Sequence, residues 1–273
     1  MPTATLIGVP YDAKSSFARG PALGPAAIRS ALHSPAGNSY SEDSIEVLSP
    51  RILGDVGDIV VEGVEYPLEP IRRAVVGVID SGSVPVVLGG DHSISYGVVR
   101  GIADRHKSFT ILHFDAHSDL YDQFEGDPLS HACPFARIME AGIAKGLVQV
   151  GTRCPTPHQN EQAKRFGVEV IDMRAWSRGV RPTIDGPCYI SIDLDVLDPA
   201  FVPGISHREP GGLTPRELIT QLQALANPVV GIDIVELNPA RDVDGLAAAT
   251  ASKVLREALA LLARGASTHQ NVV

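Results

Sequence analysis

The sequence predicts an α/β fold with a mainly parallel sheet covered on both faces. Three observations point there: short apolar, β-branched runs recur along the chain, segments of helical period separate them, and polar clusters follow several of the runs directly. The runs are ATLIGV (4–9), RILGDV (51–56), VPVVLG (84–89), FTILHFD (109–115), LVQVG (147–151), VEVID (168–172), CYISIDLD (188–195) and VVGIDIVEL (229–237). Eight strands alternating with helices close into a barrel or stay open and doubly wound, and periodicity does not separate the two. Both architectures put their chemistry at the carboxyl ends of the strands.

The helical segments carry their own punctuation. Thr214-Pro215-Arg216-Glu217 is a capping box with proline at the first helical position, followed by Leu218, Leu222 and Leu225 on one face. Gly245 to Gly265 reads as a long C-terminal helix with Arg264 and Gly265 as its stop signal. The 273 residues suit one large domain spanning 1–273, and glycine and proline are spread along the chain without a low-complexity linker.

Composition narrows the function. Asp and Glu number 32 against 23 Lys and Arg, a formal charge of −9 that disfavours a nucleic-acid partner, since phosphate binding needs a basic face. No membrane span and no signal peptide is legible, so a cytoplasmic protein is expected. Cys133, Cys154 and Cys188 are odd in number and lack CxxC pairing, which argues for reduced thiols in or near the core.

Three strand ends draw attention. VPVVLG runs into Gly89-Gly90-Asp91-His92-Ser93, FTILHFD into Asp115-Ala116-His117-Ser118-Asp119, and CYISIDLD into Asp193-Leu194-Asp195. If the chain stays extended, Asp115, His117 and Asp119 point to one side. Unpaired carboxylates in an apolar setting cost several kcal/mol each (roughly, from burial of charge), and few Lys or Arg lie nearby in sequence. A cation is the remaining partner. Two His and four Asp form an oxygen-rich, thiolate-free set that suits Mn²⁺ better than Zn²⁺. Six ligands exceed what one catalytic ion needs, whereas two ions about 3.5–4 Å apart sharing carboxylates fit the count.

GGDHS (89–93), DAHSD (115–119) and SIDLDVLDP (191–199) resemble the three signature segments of the ureohydrolase superfamily, the arginase and agmatinase family of binuclear manganese enzymes. GVPYD (8–12), RGPALGPAAIR (19–29) and DIVELNPARD (233–242) extend the resemblance over nearly the whole chain. The resemblance implies an open, doubly wound three-layer α/β/α sandwich. It implies one Mn²⁺ on His92, Asp115, Asp119 and Asp193 and a second on Asp115, His117, Asp193 and Asp195, with a bridging hydroxide that attacks the central carbon of an amidinium group. It casts His131 as a proton shuttle and Glu236 as the amidinium acceptor. His113 and Asp233 read as partners of the ligands or as core residues, and Asp91 as a group that orients a ligand. A homo-oligomer, trimer or hexamer, is also implied.

The substrate class is a small guanidino or formimino compound, and the loops choose among its members. Asp122, Glu125 and Asp127, between the second metal motif and His131, suit a cationic tail, which makes agmatine, cleaved to putrescine and urea, the leading expectation. His207 and Arg208, in the loop after the third motif, are candidate substrate-binding residues. An inward Arg208 favours an anionic tail, as in guanidinobutyrate or formimidoylglutamate. Arginine is a further alternative within the enzyme class. A family member without catalysis, serving as a binding or assembly subunit, is the alternative from another class.

Overall fold

The computed structural model describes residues 2–270. Its centre is one eight-stranded sheet, every pairing parallel, in the order β2-β1-β3-β8-β7-β4-β5-β6. The strands are β1 (Ala4–Val9), β2 (Leu53–Asp58), β3 (Val84–Gly89), β4 (Thr110–Phe114), β5 (Gly146–Val150), β6 (Glu169–Ile171), β7 (Cys188–Asp193) and β8 (Val229–Val235). The sheet is open, which decides between the two architectures that periodicity allowed.

Alternation along each strand feeds two cores. Leu6, Leu88, Leu112 and Ile190 face one side, where they pack with Ile28 and Leu32 of α1 (Gly24–Leu32), with Leu218 and Leu222 of α7 (Pro215–Ala224) and with Val254, Leu255 and Leu259 of α8 (Leu246–Gln270). Ile7, Val87 and Ile111 face the other, against Ile71 and Val75 of α2 (Leu68–Asp80), Val98 and Ile102 of α3 (Ile94–Ala103), Phe135 of α4 (Pro134–Glu140) and Ala163 of α5 (Pro157–Phe166). A short α6 (Met173–Ser177) completes the helices and places Trp176 in the first core. Every fully buried Leu or Ile contributes about 1.5–3 kcal/mol relative to exposure, so two-sided burial is what makes the near-continuous apolar runs worthwhile.

Three expectations change. The 51–56 run forms an edge strand with Val56 62% exposed, because β2 pairs only with β1 among the described strands. Gly265 does not stop the last helix, which continues to Gln270; Gly265 lacks the left-handed backbone that a terminating glycine adopts, whereas Gly245, just before the helix, has φ 73°. The extended alternation of Asp115, His117 and Asp119 fails as well: β4 ends at Phe114, and Asp119 takes φ 49°.

The capping box at α7 is present in both directions, Thr214 Oγ1 accepting from the Glu217 amide while Glu217 accepts from the Thr214 amide. Thr214→Ala removes one of these bonds far from the polar strand ends and is expected to cost about 1 kcal/mol. Thermal unfolding followed by circular dichroism should show a midpoint lower by roughly 2 °C; an unchanged midpoint would mean the box contributes nothing to the fold.

Candidate metal and catalytic site

The site lies at the carboxyl ends of β3, β4, β7 and β8, neighbours in the middle of the sheet where chain order reverses. After β3 the chain passes Gly90, where a Cβ would sit 1.8 Å from the Tyr11 carbonyl oxygen, so only glycine lets the two segments touch. Asp91 follows, accepting from Ser93 N and Oγ and from Lys14 N at 2.9 Å. It therefore ties the 12–20 segment to the turn, and burial with the nearby Glu236 carboxylate raises it to about 6.

His92 then enters the centre. Its Nδ1 lies 3.1 Å from Asp115 Oδ2, 3.1 Å from Asp119 Oδ2 and 3.2 Å from Asp193 Oδ2, yet it makes no well-formed hydrogen bond to any of them. Its other nitrogen shows why. Ser191 Oγ donates its only hydrogen to Asp233 Oδ1 at 2.6 Å, so at 3.0 Å it must accept from His92 Nε2–H. Ser95 and Tyr189 hold Asp233 from the other side. In the neutral ring Nδ1 is consequently a lone pair aimed at three carboxylates, an arrangement that suits a cation between them.

The remaining groups close in from β4 and β7. His117 Nδ1 is 3.0 Å from Asp195 Oδ2 and 3.4 Å from Asp115 Oδ1. The amides of His117, Asp195 and Ala116 donate to Asp115, Asp193 and Asp195 respectively. His113 donates from Nε2 to Asp115 at 2.8 Å, because Gln149 must present its NH₂ to both Ser118 O and His113 Nδ1. Burial and the neighbouring Asp195 and Asp115 carboxylates lift Asp193 well above the usual range. Burial pulls His92 down, but the carboxylates of Asp115, Asp119 and Asp193 favour positive charge at Nδ1 strongly enough to hold it well above its ordinary value, so a proton and a metal ion compete for that lone pair. Two groups lie close enough together to hold metal, His92 with His113 and Asp115, and Asp115 with His117 and Asp195, and neither contains a thiolate.

His131 and Glu236 form the adjoining wall. Glu236 Oε1 accepts from His131 Nδ1 at 2.8 Å and from the His92 amide at 2.9 Å, with its backbone at φ 64°. Burial raises the Glu236 carboxyl, and His131 more than reverses that, leaving it lowered. Burial lowers His131, but Glu236 carries it up to about 9.

A cavity of about 170 Å³ exposes His117, Asp119, Asp193, Asp195, His131 and Glu236 to one volume. The rest of its lining is Ser16, Tyr121, Phe124, Ala132, Cys154, Thr156, Gln159 and His207. Of these only His207 is a candidate from sequence. Thr156 and Gln159 form a second capping box, at α5, legible as T-P-x-Q although its place beside the site is not. Cys154 lines the cavity and is half-buried, outside the core expected for it; Cys133 and Cys188 are buried. Arg208 does not point into the cavity: its guanidinium donates to the carbonyls of Pro203 and Arg241, which hold it outside. Asp127 pairs with Lys14 at 2.9 Å and Asp122 with His158 at 3.0 Å, outside the cavity, whereas Glu125 lines an adjoining cleft that shares Ser16, His117, Phe124 and His207 with it and also carries Arg208 and Glu209.

The sequence profile of the arginase family matches residues 2–261. The chain belongs to the arginase family. Among family relatives, mitochondrial arginase 1 of Arabidopsis thaliana is 45% identical, over 96% of this chain and 82% of that protein. Agmatinase of Bacillus anthracis is 34% identical, over 93% of this chain and 90% of its own. The solved structure of arginase from Medicago truncatula superposes with a TM-score of 0.90 at 43% identity, covering 96% of this chain and 87% of that one. Like other arginase-family members, the chain is a hydrolase of guanidino C–N bonds. No helix among the described residues is long and apolar enough to cross a membrane.

Asp193 supplies an oxygen to the cluster around His92 and stands beside Asp195, so Asp193→Asn should act in opposite directions on two measurements. Bound Mn²⁺ after dialysis should fall about tenfold or more, and the unfolding midpoint of the metal-free protein should rise, because one mutually repelling buried carboxylate is gone. Retained metal would remove Asp193 from the ligand set.

Proposed function

We propose that this chain hydrolyses the guanidino group of L-arginine, releasing urea and ornithine. The observation that carries the choice of substrate is the uncharged lining of the cavity itself, charged side chains entering only in the adjoining cleft, where Glu125, Arg208 and Glu209 stand together. Beyond the His/Asp cluster, His131 and Glu236, the described lining residues carry no charged side chain, His207 being pushed toward its neutral form by burial and by the nearby His131. An amino-acid head group has no net charge and many hydrogen-bonding atoms, which the Tyr121 and Thr156 hydroxyls and the Gln159 amide can meet. The 45% identity to plant arginases favours the same substrate.

The cluster fits two Mn²⁺ ions on an observation of the chain itself: the His92 lone pair and three carboxylate oxygens converge, with no thiolate in the set. His92, Asp115, Asp119 and Asp193 would hold one, and Asp115, His117, Asp193 and Asp195 the other. Ions there would supply a water acidified toward neutrality. Glu236, kept ionised beside His131, matches the planar amidinium with a planar carboxylate and turns the guanidino carbon toward the cluster. His131 holds a proton at Nδ1 against Glu236 and is placed to pass one toward the departing amine.

Agmatine is the second reading, favoured by the 34% identity to agmatinases across 93% of the chain. Its ammonium tail would need a carboxylate at the mouth; Glu125 and Glu209 stand only in the adjoining cleft, beside Arg208, and neither lines the inner cavity. Anionic-tailed substrates lose their proposed partner with Arg208 turned away. A non-catalytic role is disfavoured because the groups for metal, amidinium and proton transfer share one cavity.

The test is product formation by Mn²⁺-loaded protein on arginine, agmatine, 4-guanidinobutyrate and N-formimidoylglutamate, with urea and formamide scored separately. Arginine should exceed agmatine by about tenfold or more in kcat/KM, the equivalent of one well-made polar contact. A preference for agmatine would hand the assignment to the second reading, and no product from a protein holding two Mn²⁺ would overturn both.

A further inference from the structure

Ser16 faces His131 with two groups at once. Its amide nitrogen is 3.1 Å from His131 Nε2 and its hydroxyl oxygen 2.8 Å from the same atom. An amide N–H only donates, so it matches Nε2 when that nitrogen bears a lone pair. The hydroxyl oxygen also accepts, so it matches Nε2 when that nitrogen bears a proton. The hydroxyl can thus stay with Nε2 in either protonation state, the amide matching the unprotonated one, while Glu236 holds the opposite nitrogen at 2.8 Å. A purely structural histidine needs a partner for one state only.

The segment carrying Ser16 is fixed from three sides. Lys14 N donates to Asp91 Oδ2 at 2.9 Å, Lys14 Nζ pairs with Asp127 at 2.9 Å, and the His131 amide donates to the Lys14 carbonyl at 3.2 Å. Glu236 is 4% exposed and His131 8%, while Ser16 is exposed and still lines the cavity. The contacts therefore lead from two buried groups, Glu236 and His131, out to the exposed Ser16 at the mouth of the cavity. With the guanidino carbon held at the floor, the nitrogen that leaves is on the tail side, toward Ser16.

We propose that Ser16 is a further catalytic residue of the hydrolysis, its hydroxyl carrying the proton from His131 to the departing amine. The inference rests on the guanidine-hydrolase reading above. In the step, the bond between the guanidino carbon and the tail nitrogen breaks. Ser16 Oγ gives its hydrogen to that nitrogen and takes the one on His131 Nε2, while Nδ1–H stays on Glu236. The proton gained by the leaving nitrogen comes ultimately from the water consumed, whose oxygen ends in urea; His131 is restored by that same water.

Ser16→Ala keeps the amide and removes the hydroxyl. On the Mn²⁺-loaded enzyme, kcat should fall about tenfold or more, toward the range that general acid catalysis supplies, with KM and bound Mn²⁺ unchanged; Ser16→Thr should restore most of it. In a His131→Asn background Ser16→Ala should have no further effect. An unchanged kcat, or an equal loss in the His131→Asn background, overturns the relay. A readout free of turnover is the ¹⁵N resonance of His131 Nε2 in histidine-labelled protein, which should move in Ser16→Ala while Nδ1 stays; an unmoved Nε2 overturns the contact. Failure of the underlying reading looks different, because wild-type protein would then release no urea from any guanidine.

Discussion

Everything in this structure is arranged around the mutual repulsion of four buried aspartates. Asp115, Asp119, Asp193 and Asp195 lie within reach of the same two imidazoles, almost without solvent. Burial with the neighbouring carboxylates pushes Asp193 and Asp195 up, whereas, against burial, His113, His117 and His92 hold Asp115 well below the usual range. The chain answers with donors: the amides of Ala116, His117 and Asp195, and the His113 ring fixed by Gln149. Those donors leave the inner oxygens around His92 facing its bare nitrogen. The Tyr189, Ser95, Asp233 and Ser191 chain turns the lone pair of His92 toward those same oxygens. A second tier of fully buried hydroxyls and one carboxylate thus sets the tautomer of a single ligand. That arrangement is intelligible as preparation for cations.

The parallel sheet is the device that brings the groups together. β3, β8, β7 and β4 are adjacent, though 84–89, 229–235, 188–193 and 110–114 are far apart in sequence. Their carboxyl ends deliver His92, Glu236, Asp193 and Asp115 to one place without long loops. The last adjustments are made by strained backbone. Asp119 and Glu236 both occupy left-handed conformations that non-glycine residues rarely adopt, at a cost of about 1–3 kcal/mol each. Both carboxylates line the cavity, Glu236 held by the His92 amide and His131, and Asp119 3.1 Å from His92 Nδ1.

Much of this is legible in the amino-acid sequence. Six of the eight apolar runs locate strands buried on both faces, which leave a continuous signal, and the other two locate the partly exposed edge strands β2 and β6. The metal motifs are readable because carboxylates at the end of such a run need a counter-charge, and the neighbouring sequence offers few basic side chains to supply it. Their local geometry is not: a period of two predicts an extended chain from Asp115 to Asp119, whereas a bend with Asp119 left-handed achieves the convergence. The outer cavity is the least legible. Ser16, Tyr121, Thr156 and Gln159 come from segments separated by up to about half the chain, and each looks like ordinary loop or cap chemistry alone. Arg208 and the acidic 122–127 stretch mislead for the complementary reason, since composition reveals charge but not which carbonyl or lysine has already claimed it.

The claim on which the rest depends is that the cluster exists to bind two ions. Crystals of the Mn²⁺-loaded protein, measured at wavelengths on either side of the manganese absorption edge, test it most directly. Two anomalous peaks per chain are expected, one among His92, Asp115, Asp119 and Asp193 and the other among Asp115, His117, Asp193 and Asp195. A single peak, or density at either position that ignores Asp115 and Asp193, would contradict it.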